Sequence, residues 1–307
     1  MTTDLPTRRG YPVTMGNILV GTCSWTDPAL IASGWYPPAA RGAEGRLRHY
    51  AERFGLVEVD STYYGLPSTR NSVLWAERTP ADFVFDVKAF SLLTGHSTRV
   101  GSLPVPLRPA GAAPGARVRA DALPPATVEE VWRRFAEALE PLRAAGRLGA
   151  VLMQFPPSLR PGPDAEVFLD RCLGRADALG WRTAVEFRHP RWYAPERCAR
   201  TAALARRHGA ALVAVDSAQG LPTSVPPVAV ATAPHLSVVR FHGRSPHWGT
   251  GSKEDAYRHR YTKEELAEWI PRIRALAERT EQVHVLFNNC CGDAAVSAAE
   301  TMAGLLE

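Results

Sequence analysis

Eight short apolar runs, each closed by polar or charged residues and most followed by a helical stretch, predict a (β/α)8 barrel for this 307-residue chain. Its apolar content, 45%, suits one large core, and a closed eight-stranded barrel uses this length as a single domain. Residues 1–17 read as a loose leader, and 18–307 as the barrel domain.

The runs are 18–24, 56–60, 83–88, 149–155, 183–187, 211–216, 236–242 and 283–289. After the first, Leu47, Tyr50, Ala51 and Phe54 recur at helical spacing. An insertion over residues 91–126, rich in Gly, Pro, Ala and Arg, follows the third run; a loop that long is expected to be a lid, a binding loop or disordered. Thr127 and Glu130 have the spacing of a capping box ahead of Val128, Val131, Phe135 and Leu142. Residues 217–235 are proline-rich without helical period, so the sixth crossover should be irregular. Thr262 and Glu265 repeat the capping signal before Leu266, Trp269, Ile270 and Ile273, where Pro271 predicts a kink unless the helix begins later. Asp293 is placed to cap a last helix through Val296, Ala299 and Met302.

No window approaches 18 uninterrupted apolar residues, and the first residues lack the apolar core of a secretion signal. Five cysteines without zinc-ribbon spacing favour reduced thiols and a cytoplasmic setting. A net charge of +5 permits an anionic partner without requiring one. Lys88, Lys253 and Lys263 are the only lysines, which singles out Lys88 at the end of a strand.

Alternation along the strands assigns faces. Val57, Val59, Phe83, Phe85, Val87, Val185 and Phe187 share the helix-facing parity. The opposite parity turns Glu58, Asp60, Asp86, Lys88, Gln154, Glu186, Arg188, Asp216, Arg240, His242 and Asn288 into the barrel. Buried charge is costly unless paired. A salt-bridge network that only sets barrel geometry is one reading; the other is an active site, since barrel enzymes place catalytic groups at the C-terminal strand ends.

On the second reading Glu186 is general base or acid, His189 and His242 are its proton partners, and Asp216 and Lys88 complete the catalytic candidates. Lys88, Arg188 and Arg240 would clamp an anion. Glu58, Asp60, Tyr64, Gln154, Trp192, Asn288 and Asn289 would bind or orient substrate. Gly243 opens a loop, 243–251, where barrels often hold phosphate. Trp25, Trp35, Tyr36, Tyr63, Tyr193 and Trp248 fall in post-strand loops, either as stacking surfaces or as packing. A divalent metal is also open, with Glu186, Asp216 and His242 as ligands, although the interleaved cations can neutralise those carboxylates themselves. Cys290 and Cys291 precede a helix N-terminus and are expected to be packed or idle thiols. No dinucleotide or P-loop fingerprint is present, which disfavours redox chemistry.

The order of several blocks resembles the YecE-like family, also called domain of unknown function 72, over about residues 18–305. The blocks include Gly21-Thr22-Cys23-Ser24-Trp25, Glu58-Val59-Asp60-Ser61-Thr62-Tyr63-Tyr64, Gln154-Phe155-Pro156-Pro157, Glu186-Phe187-Arg188-His189, Arg240-Phe241-His242-Gly243 and Phe287-Asn288-Asn289. The resemblance implies a TIM barrel with a shared mouth and no agreed reaction. Cys290-Cys291 stand where the family usually has a histidine or aromatic, and the insertion after residue 95 is longer than usual. The leading expectation is a hydrolytic or isomerising enzyme acting on a small anionic or sugar-like substrate. The alternatives are a nucleic-acid-binding or phosphodiester-processing protein, by fold analogy with endonuclease-IV-like barrels, and a metabolite-binding sensor without catalysis. Oligomeric state is not legible in the sequence.

Overall fold

The computed structural model describes residues 18–248, 252–289 and 291–307. Residues 1–17, where the sequence predicts a leader, residues 249–251 and Cys290 lie outside the described residues. Strands β1 (Ile18–Thr22), β2 (Leu56–Val59) and β3 (Val84–Lys88) are separated by helices α1 (Pro28–Ala32), α2 (Ala43–Ala51) and α3 (Thr69–Glu77). The insertion carries a two-residue antiparallel ladder, β4 (Thr98–Arg99) with β5 (Arg117–Val118). Then come α4 (Pro125–Ala144), β6 (Leu148–Phe155), α5 (Pro163–Ala178), β7 (Thr183–Phe187) and α6 (Pro195–Arg207). The sixth barrel position is made by two pieces, β8 (Ala211–Leu212) and β9 (Ala214–Asp216). The chain ends with β10 (Ser237–Phe241), α7 (Lys253–Tyr257), α8 (Lys263–Ala267), α9 (Ile270–Ala277), β11 (Val283–Phe287) and α10 (Ala294–Leu306).

The main sheet runs β8-β7-β6-β3-β2-β1-β11-β10-β9, with every pairing parallel. Because β8 and β9 are halves of one run, the order describes eight positions and a nearly closed barrel, as the sequence predicts. Helices cover the outside, and the Phe85, Phe155, Phe187, Phe241 and Phe287 rings are buried. Gly21 is required where β1 meets β2: a Cβ there would lie 2.0 Å from the Leu56 carbonyl oxygen. Tyr50 of α2 uses that close approach, its hydroxyl bonding the Thr22 amide at 2.8 Å and the Leu56 carbonyl at 3.0 Å.

Several local expectations are corrected. Residues 91–126 are not structureless: short 3-10 turns and the β4–β5 ladder pack through buried Val100, Leu103 and Leu123. The Thr127–Glu130 box does not form, because α4 begins earlier, at Pro125, and Glu130 pairs with Arg133 and Arg134 instead. The Thr262–Glu265 box does form, and Pro271 sits in the first turn of α9, where its missing N–H costs nothing. Asp293 makes no side-chain cap for α10 and pairs with Arg260. No helix among the described residues is long and apolar enough to cross a membrane.

Candidate functional site

Register confirms the inward face of most strands. In register, Glu58 pairs with Asp86, Gln154 with Glu186, and Arg240 with Leu286, so their side chains share the interior, although strand tilt sets register partners at different heights. Asp86 lies in a lower layer: its carboxylate accepts the Ala150 amide at 2.7 Å and meets His284 Nδ1 at 2.9 Å. Gly149 leaves the room, since a Cβ there would be 2.5 Å from Asp86 Oδ1.

Above it, Arg240 is the hub. Its guanidinium grips Glu58 with two bonds, Nε at 2.9 Å and Nη2 at 2.7 Å, and its Nη1 donates to Glu186. All three side chains are fully buried. Such a charge-assisted fork is the arrangement that lets ions leave water. Glu186 also accepts from Gln154 (3.2 Å) and Arg188 (3.0 Å), and its Oε1 lies 3.0 Å from His242 Nε2. Burial alone would raise the Glu186 pKa, but Arg240, His242 and Arg188 together hold the carboxyl well below its ordinary range. Glu58 goes the other way: burial outweighs Arg240 and Lys88 and pushes its pKa up to about 7. His242 is pushed down to about 3 by burial, with Arg188 adding to the effect and Glu186 opposing it. Its imidazole is therefore neutral.

Beside this network, a cavity of about 330 Å³ opens at the mouth. Among its lining residues are Cys23, Asp60, Lys88, Tyr257, Asn288 and Asn289. Lys88 Nζ lies 2.7 Å from Asp60 Oδ1 and 4.7 Å from the centre of the Tyr63 ring. Burial lowers the Lys88 pKa, but Asp60 and Glu58 more than reverse that, so the net shift is upward and the amine is a cation. Asn288 Nδ2 is 3.0 Å from His242 Nδ1, which joins the cavity wall to the buried network. Arg188 lies over Trp248 and donates to the Tyr257 hydroxyl at 3.1 Å. The Cys23 thiol is pushed well up by burial and so stays protonated.

The structure thus brings together Glu58, Asp60, Lys88, Gln154, Glu186, Arg188, Arg240, His242, Asn288 and Asn289. Asp216 is not with them. Its register partner is Phe241, on the helix-facing side, and it accepts from Tyr261, Trp269 and Arg244. Arg244 is held there instead of opening an anion loop. His189 accepts the Arg191 amide at Nδ1, starting a 3-10 turn outside the Glu186 cluster. Trp192 is 1% exposed, stacked on Phe187 at 4.4 Å, and offers no face to a ligand. Tyr64 is 49% exposed on the rim. Gly243 holds φ +91°, with its amide on the Tyr261 hydroxyl, so it shapes the turn. Tyr257 was missed by the sequence reading because it sits in a five-residue helix with no period to mark it.

A divalent cation does not fit these donors. Lys88, Arg188 and Arg240 already occupy the oxygens of Glu58, Asp60 and Glu186 with ion-pair contacts. The expected ligand trio Glu186, Asp216 and His242 is split between the two faces of the barrel wall. Among the described residues no three His, Cys, Asp or Glu side chains converge as a metal would need.

Eight parallel strand positions with an ion-paired network at their C-terminal ends define a TIM-barrel protein with a polar mouth. The family model for Protein of unknown function DUF72 matches residues 19–307, and the chain belongs to that family. It is 29% identical to UPF0759 protein YunF of Bacillus subtilis (strain 168) over 296 residues, covering 94% of this chain and 95% of that protein. A DUF72 family protein from Thermotoga maritima MSB8 is similar at TM-score 0.73 and 28% identity, covering 94% of this chain and 99% of that one. One from Enterococcus faecalis V583 gives TM-score 0.74 at 24% identity, covering 94% and 97%. A xylose isomerase domain containing protein from Salmonella typhimurium LT2 reaches TM-score 0.50 at 12% identity, covering 97% and 100%, a likeness of fold alone.

Proposed function

We propose that the mouth is the site of an enzyme doing acid/base chemistry, hydrolytic or isomerising, on a small anionic or polyhydroxylated molecule. One observation carries this reading: a cavity at the low end of the volume range for small-molecule sites, lined by the Lys88–Asp60 ion pair, Tyr257 and two asparagines. Asp60 is the candidate proton acceptor, and Lys88 the anchor for developing or resident negative charge. Glu186, Arg188 and Arg240 are the frame beneath, since Glu186 is fully buried and held ionised by its donors.

The test is a turnover screen with sugar acids, sugar phosphates and small hydroxy acids, run on wild type, Lys88→Met and Asp60→Asn. Both variants should lose at least about a hundredfold in turnover. Full activity in either would refute the assignment. Tight retention of a metabolite without turnover would instead indicate a sensor.

A second reading, nucleic-acid binding at the rim, is favoured by exposed Arg99, Arg117 and Arg119 on the insertion, where Asp121 is the sole acid. It predicts retention on single-stranded DNA that falls steeply with salt and is lost when the three arginines become serine. Salt-insensitive behaviour would remove it.

A further inference from the structure

The hydrogen-bond roles around His242 follow from its contacts together with its burial, which keeps the imidazole neutral. Two groups face His242 Nε2: the Glu186 carboxylate, an acceptor at 3.0 Å, and Arg188 Nη1, a donor at 3.3 Å that also donates to Glu186 Oε1 at 3.0 Å; the nearer, charged acceptor places the imidazole proton on Nε2. A neutral imidazole has one N–H, which leaves Nδ1 as an acceptor. Asn288 must then turn its NH2 group to Nδ1, at 3.0 Å, and its carbonyl oxygen away from His242. No protein donor among the described residues meets that oxygen.

Asn289 repeats the arrangement. Its NH2 group donates to the His259 carbonyl at 2.8 Å, which fixes the amide, and its buried carbonyl oxygen has no partner among the described residues. Tyr257 completes the set: its oxygen accepts from the Arg188 guanidinium, which can only donate, so its own proton is left to give. All three residues line the cavity, with the Lys88 ammonium as a further donor. Such a wall offers acceptors and donors together. A bare anion brings acceptors only, whereas every hydroxyl group brings both.

We infer that Glu186 and His242 are positioning residues that set Asn288 as a hydrogen-bond acceptor, and that the cavity therefore selects polyhydroxylated ligands over bare anions. This rests on the cavity being the substrate site and narrows its substrate class.

The first arm is NMR of protein labelled with 15N-histidine, with His242 assigned by its loss in His242→Gln. Wild type should show a neutral imidazole protonated at Nε2 at neutral pH. Asn288→Asp replaces the donor at Nδ1 with a carboxylate, so His242 should take a second proton and show both nitrogens protonated. A wild-type proton on Nδ1, or an unchanged His242 in Asn288→Asp, overturns the inference. Should His242→Gln fail to fold, the resonance moved by Asn288→Asp identifies His242, because the Asn288 side chain bonds no other histidine.

The second arm compares gluconate with acetate by calorimetry, two carboxylates that differ in hydroxyl groups. Gluconate should bind at least about tenfold tighter, and Asn288→Ala should erase most of that margin. Equal affinities, or no gluconate binding at millimolar concentration, overturn the selectivity. The imidazole measurement needs no substrate, so it can fail or succeed independently of the catalytic reading.

Discussion

Asp216→Asn separates a structural carboxylate from a catalytic one. Asp216 Oδ1 accepts from the Tyr261 hydroxyl at 2.6 Å and Arg244 Nε at 3.0 Å, while Oδ2 accepts from Trp269 Nε1 at 2.6 Å and Arg244 Nη2 at 2.8 Å. These bonds tie the end of β9 to the segments around α8. Asparagine keeps one acceptor oxygen and turns an NH2 group toward the remaining donors, so about two charge-assisted bonds are lost at roughly 1.5–3 kcal/mol each. Arg244 keeps Glu268 as a partner, which limits the damage. The expected loss is about 3–5 kcal/mol, or about 6–10 °C in melting temperature for a chain of this size. Differential scanning calorimetry reads it directly. A melting temperature within about 1 °C of wild type would refute the reasoning. So would loss of turnover at unchanged stability, which would return Asp216 to the catalytic set.

Glu186→Gln should destabilise by about 3–5 kcal/mol, because Arg240 and Arg188 lose a buried counter-charge. The lowered Glu186 pKa contributes stability that is complete above its ordinary value of 4.5 and lost as pH falls from there. Chemical denaturation at several pH values should therefore show a shallower acid-side decline in the variant. His242 works from a higher starting point: below its ordinary value of 6.5 the unfolded chain takes a proton that the fold refuses until about pH 3. His242 should contribute a fall of up to about 1.4 kcal/mol per pH unit over that window, and His242→Gln should make the decline shallower by that share, with His96, which burial pushes down to about 4, still contributing. Gly149→Ala should cost about 1–3 kcal/mol, since its methyl would press on Val84 Cγ1 and Asp86 Oδ1. A melting temperature equal to wild type would show that the Asp86–His284 layer can shift at no cost.

The sequence alone determined the eight-run barrel and the inward parity of Glu58, Lys88, Glu186 and Arg240, because polar and apolar residues alternate at the ends of those strands and alternation is a local property. It could not do so for 211–215, Ala-Leu-Val-Ala-Val, which is apolar at every position and carries no parity, so Asp216 was read onto the wrong face. Thr127 with Glu130 and Asp293 fitted cap signatures, but helix start and neighbouring arginines gave them other partners. Only the tertiary structure decided that Arg240 bridges Glu58 and Glu186, that Asn288 meets His242, and that Trp192 is packed away. Those contacts join residues up to 182 positions apart, and barrel closure and register between strands place them, which no local period records.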